Sequence, residues 1–383
     1  MSVLLSAARD LAPGIAARAA EIEAARRLPA DLAAEMAAAG LFRMAVPRSL
    51  GGAEAPPAEI FAVLETLGAA DAATGWCAMI AGTTALSSAW LPAPHAAEVF
   101  GNPMGISGGV FAPMGKAVAD GDDYVVSGRW AWASGSANCQ WLTGGALIFD
   151  DGKLRTLPNG GPDHRMMFFR RDEVELIDTW DASGLRGTGS GDMAVHAVRV
   201  PKARTVSFIT DQPQETGPLY AFPPFGLLAL GIAAVASGNA RAALADLRTL
   251  ATTKKGAGSS RTLAERGVIQ ADFAKAEAQL RAARALVDVT IAEAWGQAQR
   301  GERFDTDLRA RLRLAATHLV RTAADVVRSA YDMAGGTAVY ATHPLQRRFR
   351  DAHVATQHMM VGGSTYELTG RVLLGLPTDD GAL

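Results

Sequence analysis

The chain has 383 residues, room for two or three domains, and its 49% apolar and 20% charged residues exclude a disordered chain. A formal net charge of -2, with no block of like charge, leaves nothing to attract nucleic acid. Cys77 and Cys139 are the only cysteines and form no motif, so a reducing compartment, the cytoplasm, is expected. Arg9 and Asp10 interrupt the first apolar stretch, which therefore does not read as a signal peptide. The longest apolar run, Phe225 to Ala236, is too short to span a bilayer and reads as a buried helix.

Residues from about 3 to 100 are rich in Ala, Leu and Glu and read as helical. Val46-Pro47 and Gly51-Gly52 break that zone, so a loop should separate two helical hairpins. From about 106 to 212 glycine becomes frequent and apolar runs shorten. Tyr124 to Val126, Leu142 to Phe149, Met166 to Phe169, Val174 to Ile177 and Met193 to Val200 read as strands. Asp120-Gly121-Asp122, Asp150-Asp151-Gly152 and Asn159-Gly160-Gly161 read as the turns between them. This spacing predicts a small antiparallel barrel or sandwich. Helical texture returns from about 221. Ile269, Phe273, Ala276, Leu280, Ala283, Val287 and Ile291 form one stripe; Leu308, Leu312, Ala315, Leu319, Ala323, Val326, Ala330 and Met333 form another. Two such helices need partners, and a helix bundle supplies them. The expected domains are thus 1–105 (helical), 106–215 (strands) and 216–383 (helical bundle).

Four segments could carry chemistry. Residues 128–141 hold Trp130, Trp132 and Trp141 with Ser134 and Ser136. Indole faces suit a planar aromatic cofactor, and a serine hydroxyl can bond a ring nitrogen in either redox state. The same residues could equally form a tryptophan-rich core corner. Residues 184–192 hold four glycines that let a backbone approach a ligand, although a mobile loop is the preferred reading. The segment lacks the Lys-Ser/Thr ending of a nucleotide-binding loop. Arg347, Arg348 and Arg350, next to Asp351, could meet phosphate, but a salt-bridged turn is preferred. Lastly, His353 and His358 are five apart, about 140° around a helix, and would not chelate one metal. No Cys/His ligand spacing and no GxSxG elbow is present.

Taken in order, these segments resemble the acyl-CoA dehydrogenase superfamily along nearly the whole chain. Leu41 to Pro47 with Gly51-Gly52 resembles its N-terminal signature, and Trp132-Ala133-Ser134 its flavin-contact motif, with Ser134 in the threonine position. Residues 185–190, before a strand ending Val198-Arg199-Val200-Pro201, match a third motif. Gly335-Gly336 and Arg350-Asp351-Ala352 match the C-terminal one. The resemblance implies a fold with a helical N-terminal domain, a middle antiparallel β-barrel domain and a C-terminal four-helix bundle, assembled as a homotetramer. It also implies a flavin held by Trp132, Ser134, Gly335 and Gly336.

One departure is decisive. The dehydrogenases follow that last motif with a tyrosine and the glutamate that removes the substrate proton. Here those positions are His358 and Met359, and methionine accepts no proton; Glu367 comes eight residues later. A histidine in this place is similar instead to the two-component flavin monooxygenases of the same fold. Gly75-Trp76, residues 112–115, Cys139 with Trp141, and residues 344–348 share that similarity. Those enzymes often carry another histidine in the helix after Gly-Trp, where this chain has Thr84. The resemblance implies reduced FMN or FAD delivered by a separate flavin reductase, oxygen transfer to a small organic substrate, and His358 as acid/base. The alternatives are a dehydrogenase with tightly bound FAD and a displaced base, or a non-catalytic flavin-binding relative.

Overall fold

The computed structural model describes residues 2–158, 160–256, 258–379, 381 and 383. Of the expected turns, the position of Asn159 lies outside the described residues.

Six helices come first: α1 (Val3–Ala17), α2 (Ala19–Ala25), α3 (Ala30–Ala38), α4 (Pro57–Ala70), α5 (Ala72–Ala85) and α6 (Ala93–Phe100). The first begins where the Ser2 hydroxyl accepts from the Leu5 N–H at 3.2 Å. At the start of α5 the Asp71 carboxylate accepts from the Thr74 N–H and hydroxyl, both at 2.8 Å. Each cap satisfies backbone donors that the first turn leaves open.

Eight strands follow: β1 (Ser107–Asp120), β2 (Asp123–Trp130), β3 (Trp141–Asp150), β4 (Lys153–Leu154), β5 (His164–Arg170), β6 (Glu175–Ile177), β7 (Asp192–Pro201) and β8 (Thr205–Val206). They form one sheet in the order β6-β7-β2-β1-β3-β5-β8, with β4 paired to β3. The five expected strands all lie in this sheet, whose pairing differs from the expected one. β1 and β3 pair in parallel, from Ser107 against Trp141 to Val118 against Phe149, so the sheet is mixed rather than purely antiparallel. The cause is the route of the chain: β2 and β3 flank β1, and residues 131–140 cross its starting end. Among the described residues no ladder joins β6 to β8, so the sheet does not close.

Behind the sheet come α7 (Pro218–Ala221), α8 (Pro224–Thr253), α9 (Gly267–Gln299), α10 (Thr306–Ala334), α11 (Pro344–Ala355) and α12 (Ser364–Leu373). The anticipated stripes face inward. Ala276, Leu280, Ala283, Val287 and Ile291 of α9 are buried, as are Leu308, Leu312, Ala315, Leu319, Ala323, Val326 and Ala330 of α10. Each fully buried Leu, Val or Ile contributes about 1.5–3 kcal/mol of transfer free energy. α8 is long and apolar enough to cross a membrane, yet its most apolar stretch is 83% buried, packed against α4, α5, α10 and α11.

Candidate active site

Residues 131–140 connect β2 to β3 and carry the tryptophan and serine singled out in the sequence. The three indoles of this segment separate. Trp130, at the end of β2, is sealed in the sheet core and donates its N–H to the Gly145 carbonyl at 2.7 Å. Trp141 lies on β3 close to the guanidinium groups of Arg170 and Arg204, at 5.4 and 5.2 Å from its ring. Trp132 alone is turned outward, 62% exposed, on a backbone with φ of +67°. A left-handed conformation costs a non-glycine residue of order 1–3 kcal/mol and persists only where neighbours enforce it. Here they do: the Ala133 N–H donates to the Gly191 carbonyl at 2.9 Å, and the Gly135 N–H to the Thr188 carbonyl at 2.8 Å.

Those two bonds fasten the crossing loop to the glycine-rich segment, which is closely packed and not the free loop expected. A Cβ on Gly184 would lie 2.4 Å from the Arg350 carbonyl group, so glycine lets this segment touch the backbone of α11. The Asp351 carboxyl, buried in α11, accepts from the Leu185 N–H at 2.6 Å. Between them these contacts hold Thr188 and Ser190 against Ser134.

Ser134 is buried. Its Oγ lies 2.6 Å from Ser190 Oγ, which lies 2.5 Å from Thr188 Oγ1. The Trp76 indole N–H, from α5, donates to Ser134 Oγ at 3.2 Å. The same indole meets the His358 ring edge-on, with centroids 5.7 Å apart. Trp76 therefore joins Ser134 to His358, residues 224 positions apart in the chain. His358 follows α11, and its Nδ1 accepts from the Met360 N–H at 3.2 Å. That bond places the ring hydrogen of the neutral form on Nε2. Burial, helped by the Arg313 charge, pushes His358 down to about 4. The imidazole is therefore neutral at pH 7, and its titration falls below the range expected of it, which leaves its Nε2 hydrogen able to donate.

The remaining candidates fall elsewhere. Met359 is 69% exposed, and Glu367 is exposed on α12. Gly335 and Gly336 end α10 at the surface, with φ of +57° at Gly335; among the described residues neither touches Ser134, Trp76 or His358. Thr84 is buried further along α5. The arginine cluster is ion-paired as preferred, Arg348 to Asp246 at 2.5 Å and Arg350 to Glu23 at 2.5 Å, but on helix α11 and not on a turn. No cluster of metal-ligating side chains occurs among the described residues. Both cysteines are buried and form no disulfide, and burial pushes Cys139 up to about 12. Thr188 and Ser190 lie in the matched motif at 185–190 but were not singled out as site residues, because the glycines around them dominated the segment. That Asp351 secures that segment was missed as well; only a tertiary contact reveals either.

The chemistry of these side chains fits a flavin. An outward indole face, a hydroxyl on a fastened loop and a neutral imidazole suit a flat, partly polar ring system.

Comparison with known proteins agrees. Residues 3–92 match the model of the acyl-CoA dehydrogenase N-terminal domain, and residues 230–362 that of an acyl-CoA dehydrogenase C-terminal domain. Over 97% of its length the chain is 34% identical to an indole-3-acetate monooxygenase of Pseudomonas putida, covering 92% of that protein. It is 30% identical to the FADH2-dependent resorcinol hydroxylase oxygenase component of a Rhizobium species, covering 94% of this chain and 90% of the relative. Among solved structures, the 3-HSA hydroxylase of Rhodococcus sp. RHA1 superimposes with a TM-score of 0.92 over the whole of both chains at 26% identity.

Proposed function

The chain belongs to the acyl-CoA dehydrogenase superfamily, among its flavin-dependent monooxygenases, and from that premise we propose that it oxygenates a small aromatic compound without a phenolic hydroxyl, of the indole-3-acetate kind. Bound reduced flavin, FMN or FAD from a separate reductase, supplies the chemistry by activating O2 and delivering one oxygen atom to the substrate. The protein binds, orients and excludes water. Trp132 offers its exposed face to the flavin ring. Ser134 accepts a hydrogen bond from it. His358, neutral and bearing its hydrogen on Nε2, donates to the substrate or to the transferred oxygen.

The Ser134–Trp76–His358 cluster carries this reading, because it links the proposed flavin contact Ser134 to the histidine next to Met359, which stands where the dehydrogenases have their base. Thr84 favours a substrate without a phenolic hydroxyl, since it puts no ring nitrogen where a phenol would need a proton acceptor. The two reduced cysteines support a cytoplasmic setting.

The test supplies reductase, NADH, flavin, O2 and an aromatic acid, and measures product per reduced flavin consumed. His358→Ala should lower that coupled yield by about 10²–10³-fold, as loss of a positioned donor does, with flavin affinity retained. The wild-type yield should show no inflection near pH 6.5 from His358, whose ring stays neutral down to about 4. Coupled product at the wild-type level in the variant would make His358 structural. Oxidation of acyl-CoA thioesters with tightly bound FAD would replace the monooxygenase reading altogether.

A further inference from the structure

The hydroxyl groups beside Ser134 form a chain with a fixed direction. It ends at the Leu185 carbonyl, where Thr188 Oγ1 lies 2.8 Å from the oxygen. A carbonyl oxygen carries no hydrogen, so Thr188 must donate there, and its only hydroxyl hydrogen is used. Thr188 Oγ1 can then only accept from Ser190, 2.5 Å away. Ser190 has in turn used its hydrogen and can only accept from Ser134, 2.6 Å away. Ser134 thus donates to Ser190 and accepts from the Trp76 indole, which leaves one lone pair and no hydrogen.

We propose that Thr188 and Ser190 are positioning residues that lock Ser134 as a pure hydrogen-bond acceptor, and so make the site prefer reduced over oxidised flavin. The inference rests on the flavin reading of this site. In reduced flavin N5 carries a hydrogen and donates; in oxidised flavin N5 has only a lone pair and accepts. A Ser134 free to rotate would serve both forms. Locked, it bonds the reduced form and sets two lone pairs against each other in the oxidised one. Such a preference suits a protein that takes its flavin already reduced and must release it once oxidised. All four groups that fix the direction are buried, so water does not compete for them. Trp180, whose indole N–H also donates to the Leu185 carbonyl at 3.0 Å, helps hold the end of the chain in place.

The experiment is a pair of anaerobic and aerobic titrations of the full-length protein with FMN and FAD, dithionite-reduced and oxidised. It reads the ratio of the two dissociation constants, or the matching shift in the potential of bound flavin. Wild type should bind the reduced form more tightly. Thr188→Val removes the hydroxyl that directs the chain and keeps its shape, so Ser190 can turn toward Ser134 and free its hydrogen. The ratio should fall toward one by about threefold to tenfold, the net worth of one neutral hydrogen bond. Thr188→Ser should restore it. Ser190→Ala, which removes the acceptor of the Ser134 hydrogen, should act as Thr188→Val does and carries the test if that variant fails to fold. A purely structural role would weaken both redox forms equally. Unchanged ratios in both variants, or equal losses for the two forms, overturn the proposal while leaving the monooxygenase reading intact. Wild-type protein that binds neither form overturns that reading first.

Discussion

At Asp351 a carboxyl is buried in α11, and its one described bond, from the Leu185 N–H at 2.6 Å, opens the segment that carries Thr188 and Ser190. Burial, with the nearby Asp71 adding to it, raises this carboxyl to about 7. An Asp in the unfolded chain titrates near 3.9. Below about pH 4 both states are protonated and the group is neutral to stability. Between pH 4 and 7 the unfolded chain releases its proton first, so the contribution of Asp351 to stability falls as pH rises, and it is lost above about 7. Asp351→Asn keeps an oxygen for Leu185 and cannot ionise. The Tm of the variant minus that of wild type should therefore climb from pH 4 to pH 8. A flat difference would show that Asp351 does not titrate in this window.

In the sheet, Trp130 occupies a socket of glycines on three strands. A Cβ on Gly144 of β3 would lie 2.5 Å from its ring, with similar clashes at Gly115 of β1 and Gly128 of β2. The indole cannot retreat, because it is fully buried and bonded to Gly145. Gly144→Ala should therefore cost about 1–3 kcal/mol by overpacking, read as a lower denaturant midpoint. Gly370→Ala, in α12 with open space at its Cβ, is the control and should not destabilise. The same glycines bear on how much of the fold the sequence reveals. The five apolar runs all became β2, β3, β5, β6 or β7, because alternation and turn residues are local signals. β1, with 14 residues the longest strand, went unseen because Gly108, Gly109 and Pro113 interrupt it. The sheet accommodates Pro113 with a register shift between Val110 and Gly115. Within the site, Trp132, Ser134 and His358 were legible as motif positions. Their connection through Trp76 and the direction of the hydroxyl chain depend on contacts between residues more than fifty positions apart, which periodicity does not record.

Across the whole molecule, two helices of the bundle keep apolar side chains in the open. Val268 and Val289 of α9 are 64% and 68% exposed, and Leu373 of α12, with Leu374 just beyond it, is 55% and 77% exposed. Such residues suit burial against further copies of the chain, and we propose a homotetramer. Light scattering should give about four times the 40.0 kDa of one chain; a monomer at micromolar concentration would refute it.

The parallel pairing of β1 with β3 also sets an order of events during folding. Hairpin β1-β2 needs only the short turn at residues 121–122 and can close early. Strand β3 cannot dock beside β1 until residues 131–140 have swung across the end of that strand, over Gly108, where a side chain would meet Cys139 Sγ at 3.0 Å. The β1–β3 ladder and the Trp132–Ser134 loop therefore depend on each other, because the loop is the crossover that the ladder requires. The flavin contacts proposed for Trp132 and Ser134 therefore depend on the β1–β3 ladder as much as on the loop's own residues.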